Sequence, residues 1–113
     1  MKLSYQEIGQ VCASFWAEPG MRTGDLCKVA GNGTVGACAK NDVFHGVAAM
    51  AHNDMAAVVL RGFITVKYTG AAPAVGDCIL SAASASEVQV SETGRHCLVV
   101  SVDTENREVS ILL

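Results

Sequence analysis

Basic residues are few in this sequence, and they do not cluster. The eight Lys and Arg stand singly against eleven Asp and Glu, giving a net charge of −3. Nucleic-acid binding rests on neutralising many phosphates, so no nucleic-acid partner is expected. Long apolar runs are missing too. None approaches the length that spans a bilayer, and Met1–Ala13 lacks the apolar region of a signal peptide. No membrane partner and a cytosolic origin are therefore expected. Paired-cysteine motifs are also absent. Cys12, Cys27, Cys38, Cys78 and Cys97 make an odd number, none is spaced C-x-x-C, and no Cys/His grouping matches a zinc site. They read as small buried hydrophobes kept reduced. Aromatic side chains are scarce, with one Trp, two Tyr and three Phe. That is thin for a sugar-binding surface.

What is present points to a single β domain. Half of the 113 residues are apolar and only 17% are charged, which excludes disorder. Short β-prone runs with period-two patterning cover Leu26–Ala30, Thr34–Ala39, Val43–Met50, Met55–Leu60, Phe63–Tyr68, Cys78–Ala82, Glu87–Val90, His96–Val102 and Glu108–Leu113. Turn signals at "GNG" (31–33), "HND" (52–54), "GAAP" (70–73), "ETG" (92–94) and "TEN" (104–106) separate them. The gaps are too short for crossover helices, so the expected fold is all-β, a small antiparallel barrel or sandwich. In the closing hairpin, Val100 and Val102 alternate with Ser101, and Val109 and Ile111 with Ser110. One face should be buried.

The chain also echoes itself. Gly24-Asp25 and Gly76-Asp77 stand 52 positions apart, and the same offset lays "VAAM" (47–50) on "VVSV" (99–102) and "HND" on "TEN". Two pseudo-repeated β units are expected, packed face to face into one barrel, with Arg61–Tyr68 as the strand linking them. The first residues read two ways. Ser4, Glu7, Ile8, Val11, Cys12, Phe15 and Trp16 fit a capped helix, whereas Val11, Ala13, Phe15 and Ala17 alternate as a strand. The β surroundings favour a strand over about residues 10–17. Residues 1–9 would then form an N-terminal arm, part of a single domain spanning 1–113.

Catalytic signals are weak. His96 and Cys97 are adjacent, but neighbours in a strand face opposite ways and cannot form a dyad. His45, His52 and His96 share no metal-ligand spacing. Asp25, Asp42, Asp54, Asp77 and Asp103 sit at turns, where aspartate usually caps backbone N–H groups. "GNGTVG" runs from one β segment into another, with no Lys-Ser/Thr and no helix, so it is not a phosphate loop. "RGFITVKY" mixes basic and aromatic residues but reads as one strand with a solvent face. No enzymatic activity, cofactor or metal is expected. Phe15 and Trp16 are expected in the core, with Leu3 and Tyr5 as partner anchors outside it.

Three segments carry a family resemblance: "GDLCKVAGNGTVGACAKNDVFHGVAAM", "AAVVLRGFITVKYTGAAPAVGD" and "GRHCLVVSVDTENREVSILL". Over about residues 10–113 the chain resembles the small capsid decoration, or cement, proteins of tailed phages and prophages. Lys67, where a small or proline-like residue would be usual, and the number of cysteines depart from that pattern. The resemblance implies a structural protein of the virion surface, made in the bacterial host cytoplasm. Its partner would be the major capsid protein, and a homotrimer or other homo-oligomer is implied. Contacts would come from Leu3, Tyr5 and Ile8 of the arm, from His52, Asn53 and Asp54, and from Glu105 and Asn106. The alternatives are a tail or ring-forming assembly subunit, and a small carbohydrate- or ligand-binding β-module. A thiol enzyme would need a cysteine within reach of His45, His52 or His96.

Overall fold

The computed structural model describes residues 10–113, so the arm and its residues Leu3, Tyr5 and Ile8 lie outside the described part. Ten strands make up that part: β1 (Val11–Ala17), β2 (Leu26–Gly31), β3 (Thr34–Ala37), β4 (Gly46–His52), β5 (Met55–Arg61), β6 (Phe63–Tyr68), β7 (Gly76–Ala82), β8 (Glu87–Val90), β9 (Arg95–Asp103) and β10 (Glu108–Leu112). The first five close into a barrel in the order β1-β3-β2-β4-β5. The last five repeat that order as β6-β8-β7-β9-β10. The protein is thus all-β and built from two similar units.

The duplication goes further than the sequence echo. Expected as a linker, Phe63–Tyr68 is instead the first strand of the second unit, the counterpart of β1, and Arg61 closes β5. Only Gly62 separates the units, at φ +122°, a conformation natural to glycine. Each unit closes on itself rather than joining the other in a single barrel. Closure uses one short parallel contact per unit, where a purely antiparallel sheet was expected. Trp16 and Ala17 pair with Thr34 and Val35, and Lys67 and Tyr68 pair with Glu87 and Val88. Parallel neighbours usually need a crossover helix. Here the intervening strand, β2 or β7, returns the chain and serves instead.

Main-chain bonds repeat as well. Ala17 N–H donates to Asp54 O at 2.7 Å, and Tyr68 N–H to Arg107 O at 3.0 Å. Glu18 N–H donates to Val35 O and Thr69 N–H to Val88 O, both at 2.9 Å. The two Gly-Asp pairs have a shared cause: Gly24 has φ +93° and Gly76 φ +104°. Both positions turn the chain into a strand through a region that side chains disfavour. Only the first aspartate also caps, since Asp25 Oδ2 accepts from Arg22 N–H at 2.9 Å, whereas Asp77 is exposed.

β-bulges adjust the alternation. Between Ala48 and Met50 of β4 the register against β5 slips, and in β9 it slips where Ser101 and Val99 oppose Ser110 and Ile111. The second bulge makes Val99, not Val100, the core residue next to Ile111; Val100 is only half-buried. An extra residue reverses which side chain faces inward beyond it.

The core is shared between the units. One cluster joins Leu26, Cys38, Phe44 and Val59 of the first to Tyr68, Leu80, Val88, Val99 and Ile111 of the second. A smaller cluster of Cys27, Val35, Ala48, Ala56 and Val58 fills the first barrel, with Phe15, Met21 and Leu60 packed against it. The runs expected over 34–39 and 43–50 end early, at Ala37, and start late, at Gly46. The freed segment, 38–45, latches onto the second unit. Asn41 N–H donates to Ala82 O at 2.8 Å, and Ala82 N–H donates to Asp42 O at 2.9 Å. Gln89 Nε2 donates to Asn41 Oδ1 at 2.8 Å, and Lys28 Nζ pairs with Asp42 at 2.6 Å. That pair draws the Asp42 carboxyl below the usual carboxylate range, mainly through the lysine hydrogen bond and then through Ala39 N–H.

Candidate interaction surface

The two turns singled out in the sequence occupy equivalent places, one at the end of each barrel. His52, Asn53 and Asp54 join β4 to β5, all exposed, with Asn53 at φ +56°. Glu105 and Asn106 lie between β9 and β10, also exposed. Asp103 organises the second turn. Its Oδ1 accepts from Glu105 N–H at 3.0 Å and Asn106 N–H at 3.2 Å, and its Oδ2 from Asn106 Nδ2 at 2.9 Å. Arg107 completes it, with its guanidinium 4.8 Å from the Tyr68 ring and a 2.8 Å bond to Gly70 O. Each turn thus belongs to its own barrel.

Beside each turn, the strand ladder places four side chains in a row. In the first barrel the row is Thr34, Trp16, Met55 and His52, from β3, β1, β5 and β4. In the second it is Glu87, Lys67, Glu108 and Asp103, from β8, β6, β10 and β9. Directly opposed residues of an antiparallel pair project on the same face, here the outer wall. Trp16 is 56% exposed and Met55 46%. The same ladder positions therefore carry an aromatic-thioether pair on one unit and opposite charges on the other. Solvent alone favours the charged version. The apolar row is the more informative of the two.

Trp16 had been expected in the core with Phe15. Phe15 does pack against the first-barrel cluster, and Trp16 points out. Alternation within a strand already implied this, because consecutive residues cannot both face inward. The Trp16 main chain adjoins the "GNG" turn, since its backbone N–H donates to Gly33 O at 2.9 Å.

Among the described residues the thiol hydrogen bonds go to amide or main-chain oxygens, not to imidazoles. Burial pushes Cys27 up to about 12, helped by Cys38 and Asp25 nearby. Cys38 and Cys97 are each pushed up to about 11, again chiefly by burial. A thiol held so high is protonated at neutral pH and a poor nucleophile. Cys27 Sγ donates to Asp25 O and Cys97 Sγ to Arg95 O, not to a histidine. His45 Nδ1 accepts from Val29 N–H at 2.9 Å and is occupied by that bond. As expected, His96 and Cys97 part company, His96 exposed and Cys97 buried. In the native protein, a disulfide reagent such as Ellman's is expected to react first at exposed Cys12. Cys27, Cys38 and Cys97 should react only after denaturation, which a time course of thiol release with and without guanidinium checks.

No protein-family model matches this chain, and no curated protein matches it in sequence.

Proposed function

We propose that this protein is a non-enzymatic decoration protein of a tailed-phage or prophage head, binding the outside of the assembled shell and anchored by Trp16 and Met55. The observation that carries the proposal is the contrast between the two equivalent rows. One row carries opposite charges, and its twin presents a large apolar pair to solvent. Exposed Trp is a typical centre of a protein interface, because it desolvates much area at small entropic cost. The likeness of the sequence to cement proteins supplies the partner, the major capsid protein. Two barrels on one shared core make a durable module. Such a ligand, binding the lattice but not its dissociated subunits, shifts assembly by mass action. A homotrimer would add avidity through effective concentration. The virion surface is the proposed location, after synthesis in the host cytoplasm.

The test mixes the purified protein with expanded heads of its own phage. Saturable co-sedimentation, with heads that resist heat or chelator better, is the expected result; absence of binding at micromolar protein overturns it. Because Trp16 is the sole tryptophan, its emission reports on the contact directly. A blue shift on adding heads is expected.

A second reading has one specific observation in its favour. Exposed Trp16 beside His52, Asn53 and Asp54 is the kind of aromatic-plus-polar arrangement that stacks a sugar ring. Quenching or shift of the same emission by soluble polysaccharide, and not by heads, would favour that β-module.

A further inference from the structure

A cleft of about 600 Å³ opens where the two barrels meet. Its apolar wall includes Val43, Phe44 and Leu60, and its polar groups are His45, Arg61 and Arg95. Arg95 alone comes from the second unit, on β9; the others belong to the first. The Arg95 guanidinium is held in place. Its Nη1 donates to His45 O at 2.9 Å and to Phe44 O at 3.4 Å, and it sits 6.0 Å from the Phe44 ring. Nη2 has no acceptor among the described residues. Burial pulls the Arg95 pKa below the ordinary arginine value, and the neighbouring charge of Arg61 adds to this.

Among the described residues no carboxylate lines the cleft, and the Lys28–Asp42 ion pair lies elsewhere. This is notable in a chain of net charge −3. Two guanidiniums have been brought to one apolar-walled cleft with no counter-charge among the described residues. The arrangement costs free energy when empty and regains it when an anion enters. A guanidinium fork matches a planar carboxylate in two parallel hydrogen bonds. The accessible apolar lining of Val11, Val43 and Leu60 favours a hydrocarbon stem behind that carboxylate over a bare inorganic ion.

We propose that this cleft is a binding site for a carboxylate carried on a short apolar stem, with Arg61 and the pre-positioned Arg95 as its anion clamp and Val11, Val43 and Leu60 as the seat of the stem. Such a group is offered both by an apolar C-terminal residue of a polypeptide and by a free short-chain acid. The site lies apart from the Trp16 row and does not depend on the decoration reading.

The test is NMR titration of the full chain at constant ionic strength, following the Arg61 and Arg95 side-chain N–H signals and the Phe44 and His45 amides. The probes are sodium hexanoate, hexanamide and the dipeptide N-acetyl-Leu-Leu with a free C-terminus. Saturable, co-localised shifts are expected with both acids. Hexanamide should bind about tenfold more weakly or not at all, because it lacks the charge that the guanidiniums recognise. Arg61→Gln, at an exposed position, should weaken hexanoate by about tenfold while the remaining spectrum is preserved. The dipeptide binding more tightly than hexanoate marks a polypeptide end as the source; the reverse marks a free acid. Equal shifts with hexanamide, unchanged affinity in Arg61→Gln, or shifts that never saturate overturn the proposal.

Discussion

Replacing Trp16 by Lys and Met55 by Glu together is expected to abolish binding to phage heads while the protein stays folded. These are the residues that the second barrel carries at the same ladder positions, Lys67 and Glu108. The fold therefore already contains a working copy of the substituted row. Both side chains project from the outer wall, so the swap removes little buried area, and the melting temperature should move by no more than a few degrees. Binding should respond very differently. Truncating a central Trp of an interface typically costs about 2 to 4 kcal/mol, about 30- to 700-fold in affinity. Trp16→Ala alone should fall in that range, and the double swap should exceed it by placing charges where the partner presents apolar surface. Co-sedimentation measures the loss, and circular dichroism melts confirm that the fold survives. A folded double variant that still binds heads at wild-type affinity removes the Trp16 row from the proposal. If heads never bind but polysaccharide binding disappears in the double variant, the row is a sugar platform.

The second large effect concerns stability. Phe44→Ala should destabilise the whole chain by about 3 to 5 kcal/mol, the range for emptying a buried aromatic site. Phe44 is fully buried within the cluster that both units share, beneath the Arg95 guanidinium. It sits on the 38–45 latch, whose main chain bonds Ala82 of the other unit. Losing the ring leaves a cavity at the seam, where relaxation of either barrel would break those bonds. For a domain of ordinary stability, that is a large fraction of the total. The melting temperature should drop by about 10 to 25 °C, and Phe44→Leu, which keeps most of the volume, by much less. The wild type should unfold in one transition, because the units have a common core. Differential scanning calorimetry decides the matter. Two separate transitions in the wild type, or a drop of a degree or two in Phe44→Ala, would mean that the barrels stand alone and the latch is decorative.

Most of the strands were legible because alternation and turn chemistry are local. Gly24 and Gly76 announced equivalent turns since their positive φ angles demand glycine wherever they recur. "HND" and "TEN" marked matching hairpin ends because each is a short polar break between two β-prone runs. Packing misled in three places. The bulge at Val100 changes which valine faces inward, and a bulge depends on the partner strand more than on the residue itself. Trp16 looked like core material by its size, although strand geometry sends it outward once Phe15 points in. The Arg61–Tyr68 run reads in sequence as a link between two halves, yet β6 finds its partners in β8 and β10, far along the chain.

By itself, then, the order of residues determined an all-β chain and the places where it turns, properties of neighbours a few positions apart, and its duplication, the same local pattern recurring 52 positions on. Only the folded molecule decided that each half would close through a two-residue parallel contact, that segment 38–45 would bind one half to the other, and that Arg61 and Arg95 would line one cleft. Those outcomes join residues dozens of positions apart. Their energies come from surfaces that do not exist until the chain has closed.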